Sequence, residues 1–472
     1  MSHEAPSGAV SSRPPRWREV FADGRLPLTV GLVIVEFLAG IQALVVTATM
    51  PRVLAELHGI EFYGWVFSGY SLAGLAAIPR AGRNADLHGP LRPFAEGLAM
   101  FGAGTLLCGV APTMLTLALV RVLQGYGGAT LYTVAYGAVA KAYPAHLRSR
   151  VVALLTLVWV VSGLVGPAYG AALAAAAGWR WSFLSVFPLV VFSWVLISRP
   201  LRAIDGSGGN PPPRIPTRWP LQLAAGTGVA LGGLSAGELA VGIPLLVAGL
   251  ALAIPALLHV VPAGTLAIRA GFPATVAAAF MANLAFFAAD SFVPLMLTGV
   301  RGTSVLEASI AVTLVTLGWC AGGWWQSRVM SAARVTRLVG GGSLLMAAGI
   351  AGTAAALLGL PLAIAYVAWI LAGVGMGVAY STLFVASMEG AGSGNETTVV
   401  AARFVSGRLG IALGSGLGGA GVAIASGLHA GLAAGLWGIF GMAVMASLAT
   451  AAIARRVGSS ERRTTAAARA SG

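Results

Sequence analysis

Apolar runs of about twenty residues, separated by short polar connections, recur along almost the whole chain. Six come first, at 28–50, 62–79, 94–112, 114–140, 151–174 and 181–198. A Pro- and Gly-rich polar stretch, RPLRAIDGSGGNPPPRIPTR at 199–218, interrupts them. Two more follow at 219–236 and 239–261, parted by the turn SAGE, and then six at 272–298, 303–325, 338–359, 361–386, 398–425 and 430–453. A helix of about 20 apolar residues crosses the ~30 Å hydrocarbon core of a bilayer. The pattern therefore predicts fourteen transmembrane helices in an all-α membrane protein, grouped as six, two and six. The corresponding organisation is a tail at 1–27, a six-helix bundle at 28–198, a linker at 199–218, two extra spans at 219–261, a second six-helix bundle at 270–453 and a tail at 454–472.

Composition agrees with lipid as the solvent. The chain is 57% hydrophobic and 9% charged, too few charges to solvate a water-exposed surface of this size. The net charge of +14 would suggest nucleic acid in a soluble protein, but here the basic residues fall between apolar runs. Cationic loops mark the cytoplasmic side. With both termini cytoplasmic, 25 of the 29 Lys and Arg lie in cytoplasmic segments or at their membrane borders, leaving Arg52, Arg180, Arg301 and the intramembrane Arg121. No nucleic-acid partner is expected. The first run is too long for a signal-peptide core and is expected to be retained in the plasma membrane. Cys108 and Cys320 sit in apolar runs and make no metal-ligand spacing.

Arg121 opens RVLQGYGGA at 121–129, SGLVGPAYGA occupies 162–171, and GWRWSF follows at 178–183. An ionisable residue at this depth costs at least about 2.5–3.5 kcal/mol and marks a functional site by default. These stretches, with GRNADLHGPLRP at 82–93, resemble the major facilitator superfamily, in particular its drug:proton antiporter branch with fourteen spans. The resemblance covers nearly the whole chain. It implies that Gly82, Asp86, Gly89 and Arg92 form a cytoplasmic latch that favours the outward-open state, in which an acid in a tight turn docks on a neighbouring helix. Leu87 and Leu91 stand where the family usually has bases. Arg121 and Gln124 match the family's intramembrane arginine motif. Gly166, Pro167 and Gly170 match its antiporter motif, with Ala153 replacing the upstream glycine, and that motif marks exporters. Gln42 stands where fourteen-span members commonly carry an aspartate.

Two acids lie deep enough to couple to protons: Glu36 in the first span and Asp290 in the ninth. Counting at 1.5 Å per residue, Gln42, Arg121 and Asp290 each lie roughly 10–14 Å inside the outer boundary and Glu36 about 12 Å from the inner one. A shared polar cluster is expected, with Arg121 next to one of the acids. Tyr132, Tyr136, Trp159 and Tyr169, with Gln42 and Gln124, are the expected cavity lining, suited to bulky amphipathic or cationic solutes. The expected function is a proton-coupled exporter of small hydrophobic or amphipathic molecules. Its partners would be the substrate, protons and the bilayer, with no cofactor beyond the proton gradient, and it would act as a monomer. An exporter of a lipid or a dedicated natural product, and a non-transporting scaffold or sensor, are the alternatives. No metal cluster, nucleophile elbow or phosphate-binding loop points to an enzyme.

Overall fold

The structure, a computed structural model, describes residues 17–205, 216–331, 334–389 and 396–457. The middle of the expected linker and most of both expected tails lie outside these residues. Every element among the described residues is helical. A short α1 (Trp17–Phe21) precedes α2 (Leu26–Leu57), α3 (Tyr63–His88), α4 (Leu91–Gly109), α5 (Met114–Ala142) and α6 (Ala145–Ala176). Next come α7 (Trp181–Leu184), α8 (Phe187–Arg202), α9 (Arg218–Ser235) and α10 (Leu239–Val260). The remainder is α11 (Phe272–Asp290), α12 (Val293–Gly299), α13 (Val305–Val329), α14 (Val335–Ala354), α15 (Leu362–Glu389), α16 (Glu396–Gly427) and α17 (Leu432–Val457).

Two expected spans are interrupted, one near its start and one near its end, and proline explains both. Pro188 and Pro294 have no N–H to return to the carbonyls of Leu184 and Asp290, the last residues of α7 and α11.

Ten helical segments among the described residues are long and apolar enough to cross a membrane, not the fourteen expected. α3, α4, α5 and α9 stand where the second, third, fourth and seventh spans were expected but are absent from that set. Charged residues lower the hydropathy of α4 (Arg92, Glu96) and α5 (Arg121, Lys141), and glycines at helix contacts add to the effect. Small and polar residues on α3, α4 and α5 serve helix contacts instead of lipid contacts. A Cβ on Gly125 of α5 would lie 2.2 Å from the Tyr70 carbonyl oxygen of α3, and one on Gly127 would lie 2.3 Å from the Phe101 nitrogen of α4. Outward-facing side chains such as Leu119, Val195, Leu239 and Met445 are exposed, a surface suited to hydrocarbon.

In one bundle α2 packs on α6 and α8, and α5 on α3 and α4. In the other, α11 packs on α16 and α17, and α15 on α13 and α14. The α9–α10 hairpin lies along the seam: Leu223 and Leu231 share a core with Leu72 of α3 and Leu409 of α16. We call the end carrying the α3–α4 connection and Arg455–Arg456 the basic end. At the opposite, far end the bundles meet closely. The Tyr63 hydroxyl donates to the Ser291 carbonyl at 3.2 Å, and the backbones of Gly64 and Gly419 touch. Towards the basic end the facing sides of α5 (Tyr132, Thr133, Tyr136, Gly137) and α16 (Phe404, Gly407, Arg408) are only half-buried. A Cβ on Gly137 would meet nothing within 4 Å, so the space between the bundles widens in that direction.

Candidate functional site

Arg121 is fully enclosed one turn below Gln124 on α5. A guanidinium keeps its charge, so its donors must find acceptors inside the bundle. Its Nε donates to the Val66 carbonyl at 3.2 Å and its Nη1 to Gln124 Oε1 at 2.6 Å, while the Tyr70 ring lies 4.2 Å from the guanidinium carbon. Gln124 passes the network on: its amide donates to Thr105 Oγ1 at 2.9 Å and to Gln42 Oε1 at 3.4 Å. Gln124 thus bridges Arg121 to Gln42. The expected acid does not join them: among the described residues no carboxylate pairs with Arg121, which is held by the neutral Gln124 amide, a carbonyl and an aromatic face.

Glu36 sits on the same bundle nearer the basic end, and three of the expected residues converge there. The Trp159 indole donates to Glu36 Oε1 at 2.5 Å, and the Tyr136 hydroxyl approaches the same oxygen at 3.5 Å. Tyr132 stacks obliquely on Tyr136, with ring centroids 4.6 Å apart. The other oxygen, Oε2, is buried and has no hydrogen-bond partner. α2, α5 and α6 each supply one side of this cluster. The carboxyl thus has one oxygen held by side chains of two neighbouring helices and the other bare.

Asp290 is separate from both groups. It is the last residue of α11, at the break caused by Pro294, and is half-buried with no ion pair among the described residues. Its neighbour Ser291 accepts the Tyr63 hydroxyl across the seam. Tyr169 packs beside the core of the first bundle, and among the described residues the hydrogen bonds to Glu36 come from Trp159 and Tyr136 instead. The cavity lining expected at six residues thus divides: Gln42 and Gln124 belong to the arginine network, Tyr132, Tyr136 and Trp159 to the glutamate, and Tyr169 to neither.

A bundle pair with an intramembrane arginine network on one side of a closed seam is a fold with many relatives. The family model of the Major Facilitator Superfamily matches residues 32–415. The chain belongs to that superfamily. A probable multidrug-efflux transporter of Mycobacterium tuberculosis is 27% identical over 412 residues, 83% of this chain and 86% of that protein. Multidrug resistance protein 3 of Bacillus subtilis is 29% identical over 172 residues, 36% of this chain. With that protein and the other B. subtilis multidrug transporter, the match spans about a third of the relative's own length, 34% in each case. Among solved structures, a bacterial homolog of the human lysosomal transporter Spinster, inward-facing and unoccupied, superposes with a TM-score of 0.62 at 18% identity, covering 92% of this chain and 98% of that one. At that identity the likeness concerns the fold alone.

The superfamily motifs take positions that differ in part from expectation. The latch is not a loop. α3 runs through Gly82 and Asp86 to His88, and the chain turns only at Gly89, whose φ of 82° and ψ of 163° suit glycine alone, before α4 begins with the exposed Arg92 in its first turn. Asp86 pairs with Lys141 of α5 at 3.5 Å, within its own bundle. The Gly166–Pro167–Gly170 motif lies on α6, which packs on α2 in its own bundle and on α13 in the other. Gly166 and Gly170 face Ile41 and Val45 of α2, while Gly163 presses on Thr316 of α13 in the other bundle.

Sequence reasoning passed over two arginines of α16: Arg403, enclosed against Tyr380 and Phe384 of α15, and Arg408, which reaches Gly74 of α3 across the seam. They were grouped with the basic border residues of the run at 398–425. Their signal was available: Arg408 lies ten residues inside that run, with no acid at helical spacing.

Proposed function

We propose that the protein exports small hydrophobic or amphipathic molecules across the plasma membrane in exchange for protons, by alternating access, with Glu36 as the proton carrier. The observation that carries this is the two-sided state of the Glu36 carboxyl: Oε1 is held by Trp159 and Tyr136 while Oε2 is buried without a partner. Such a group can be neutral when protonated and must find a new environment when it is not. Rocking of one bundle against the other supplies two environments in turn. The basic end is the cytoplasmic one on this reading, which places both termini inside. The multidrug-efflux names of its relatives support a substrate that is apolar and small, and the aromatic rings around Glu36 suit such a molecule. Gly163, Gly166, Pro167 and Gly170 serve as the bending, closely packed element, and the arginine network around Arg121 as the rigid support at the far half.

Asp290 is the second acid placed to take part, since it sits at a helix break beside the closed seam. Reconstituted vesicles with an imposed pH gradient separate the two. Accumulation of a multidrug-type dye is expected to follow the gradient in wild type, to lose that dependence in Glu36→Gln, and to keep it in Asp290→Asn. Wild-type accumulation that ignores the gradient would overturn proton exchange, and indifference to Glu36→Gln would overturn the choice of carrier.

A further inference from the structure

The connection between α10 and α11 is built around cations that proton exchange does not use. Residues 239–289 and 397–457 contain no Asp or Glu, so neither this connection nor the end of α17 beside it brings a counter-charge of its own. Arg456 of α17 donates to the Ile268 carbonyl at 3.0 Å and to the Ala267 carbonyl at 3.5 Å, and its own carbonyl accepts the Gly271 N–H at 2.9 Å. Ile268, anchored in this way, has a φ of 48°, a left-handed conformation that a β-branched residue rarely takes. A Cβ on Gly264 would lie 2.7 Å from Arg269 Cδ, so the Arg269 side chain crosses directly over that turn. Arg269 is exposed and forms no ion pair among the described residues.

A recess of about 350 Å³ opens at this connection, lined by Leu258, Val261, Pro262, Thr265, Leu266 and Arg269 among others. Its walls are mainly apolar, and the Thr265 hydroxyl is already committed to the Pro262 carbonyl at 2.7 Å. Leu258 and Leu266 at its rim are 59% and 60% exposed. Leu258 also ends a stripe of exposed side chains on one face of α10, Val247, Leu250, Ile254 and Leu258, which runs about 16 Å along the helix. The neighbouring rings fix the depth. Trp219 and His259 stack with centroids 3.9 Å apart, and the Arg218 guanidinium carbon lies 4.7 Å from the Trp219 ring, an arrangement of aromatic and basic groups suited to the membrane–water interface. The recess thus holds its cation at headgroup level, and its apolar stripe runs on at the level of the acyl chains.

We propose that this recess binds an anionic glycerophospholipid of the leaflet at the basic end, with its phosphate on Arg269 and one acyl chain along the α10 stripe. A guanidinium fork without a counter-charge matches a phosphate in shape and charge. Arg455 and Arg456, in the last turn of α17 beside the same connection, add to the positive field that favours a net negative lipid. The stripe distinguishes a lipid from a free anion, because only a lipid covers it. The C-terminal tail supplies no counter-charge in its place, since 458–472 carries Arg462, Arg463 and Arg469 against Glu461 alone. Neither Glu36 nor the space between the bundles takes part, so lipid binding stands or falls independently of the transport reading.

Native mass spectrometry of the full chain tests this. The protein is released from micelles that contain phosphatidylglycerol and phosphatidylcholine with identical chains, and the affinity for each lipid is read from the bound fractions. Wild type should retain phosphatidylglycerol more tightly than phosphatidylcholine. Arg269→Gln, a change at an exposed side chain, should weaken phosphatidylglycerol about fivefold, the worth of one cation near a membrane surface, and leave phosphatidylcholine unchanged. Arg328→Gln is the control. It removes a likewise exposed arginine of α13 at the same end, one that lies over Trp324, and should change phosphatidylglycerol affinity by less than about twofold, because charges remote from the recess are screened. No loss in Arg269→Gln, the same loss in Arg328→Gln, or equal retention of the two lipids by wild type would overturn the site. A competition arm separates the sources of the phosphate. Glycerophosphoglycerol, the same headgroup without chains, and inorganic phosphate should fail to displace the lipid even in large excess. Displacement by either would overturn the lipid assignment and make the recess a free-anion site.

Discussion

Replacing Gly163 by alanine should shift the protein away from the conformation described here. A Cβ at that position would lie 2.3 Å from Thr316 Cγ2 and 3.1 Å from Thr316 Cβ, across the contact between α6 and α13. The methyl cannot simply turn aside, because the Thr316 hydroxyl donates to the Val312 carbonyl at 2.8 Å and fixes the rotamer. Two effects compete. Alanine favours a helix over glycine by roughly 0.5–1 kcal/mol, a gain common to all states in which α6 stays helical and so cancelling between them. Overpacking costs about 1–3 kcal/mol and applies only where α6 and α13 touch. The net bias is therefore about 1–3 kcal/mol, a population change of roughly 5- to 150-fold. Thr316→Ser removes the offending methyl and keeps the hydroxyl bond, so the double variant should return towards wild type. Distances between spin labels on the two bundles measure the populations, and transport rates follow them. A Gly163→Ala distribution identical to wild type, or one that Thr316→Ser leaves unchanged, would refute the reasoning.

Other outcomes follow from single contacts. Trp159→Phe should reduce gradient-driven transport at least about tenfold and Tyr136→Phe by less than about threefold, because the indole bonds Glu36 at 2.5 Å and the phenol only at 3.5 Å. Gly89→Ala should lower thermal stability by about 1–3 kcal/mol, since a side chain there is strained at φ 82°. Asp86→Asn should cost less than about 1 kcal/mol, its pairing with Lys141 being partly solvated. Arg121→Lys should destabilise by about 2 kcal/mol, because an ammonium cannot serve the Val66 carbonyl, Gln124 and the Tyr70 ring together. Thermal unfolding in detergent checks the last three.

Much of the architecture was legible in the apolar periodicity, because lipid admits few alternatives to a buried or lipid-facing helix. The span count was less so. A hydropathy pattern records side chains, and in α3, α4 and α5 glycines such as Gly125 are spent on helix contacts, which lowers the apolar signal of helices that are long and well packed. The breaks at Pro188 and Pro294 were readable in principle from the missing N–H, yet an apolar run conceals them. At the site, depth alone grouped Gln42, Arg121 and Asp290; the bridge that Gln124 makes between Arg121 and Gln42, and the separate place of Asp290, depend on side-chain directions. The convergence of Trp159 and Tyr136 on Glu36 was not legible either, since it joins three helices through side-chain directions that spacing alone leaves open. The pairing of Arg121 with an acid failed for a physical reason: a guanidinium enclosed by Gln124, the Val66 carbonyl and a ring face has its donors occupied without a counter-charge. Arg403 was missed because a basic residue near a span border is ordinarily a solvated flank, whereas Arg408, ten residues inside its run, was legible as an intramembrane charge.

Proton release on substrate binding tests the role of Glu36 most directly. Purified protein in weakly buffered detergent solution, given saturating substrate, should acidify the medium in wild type and in Asp290→Asn, as the Glu36 carboxyl gives up its proton. Glu36→Gln should bind the same substrate with no change in pH. Acidification by Glu36→Gln equal to that of wild type would contradict the account.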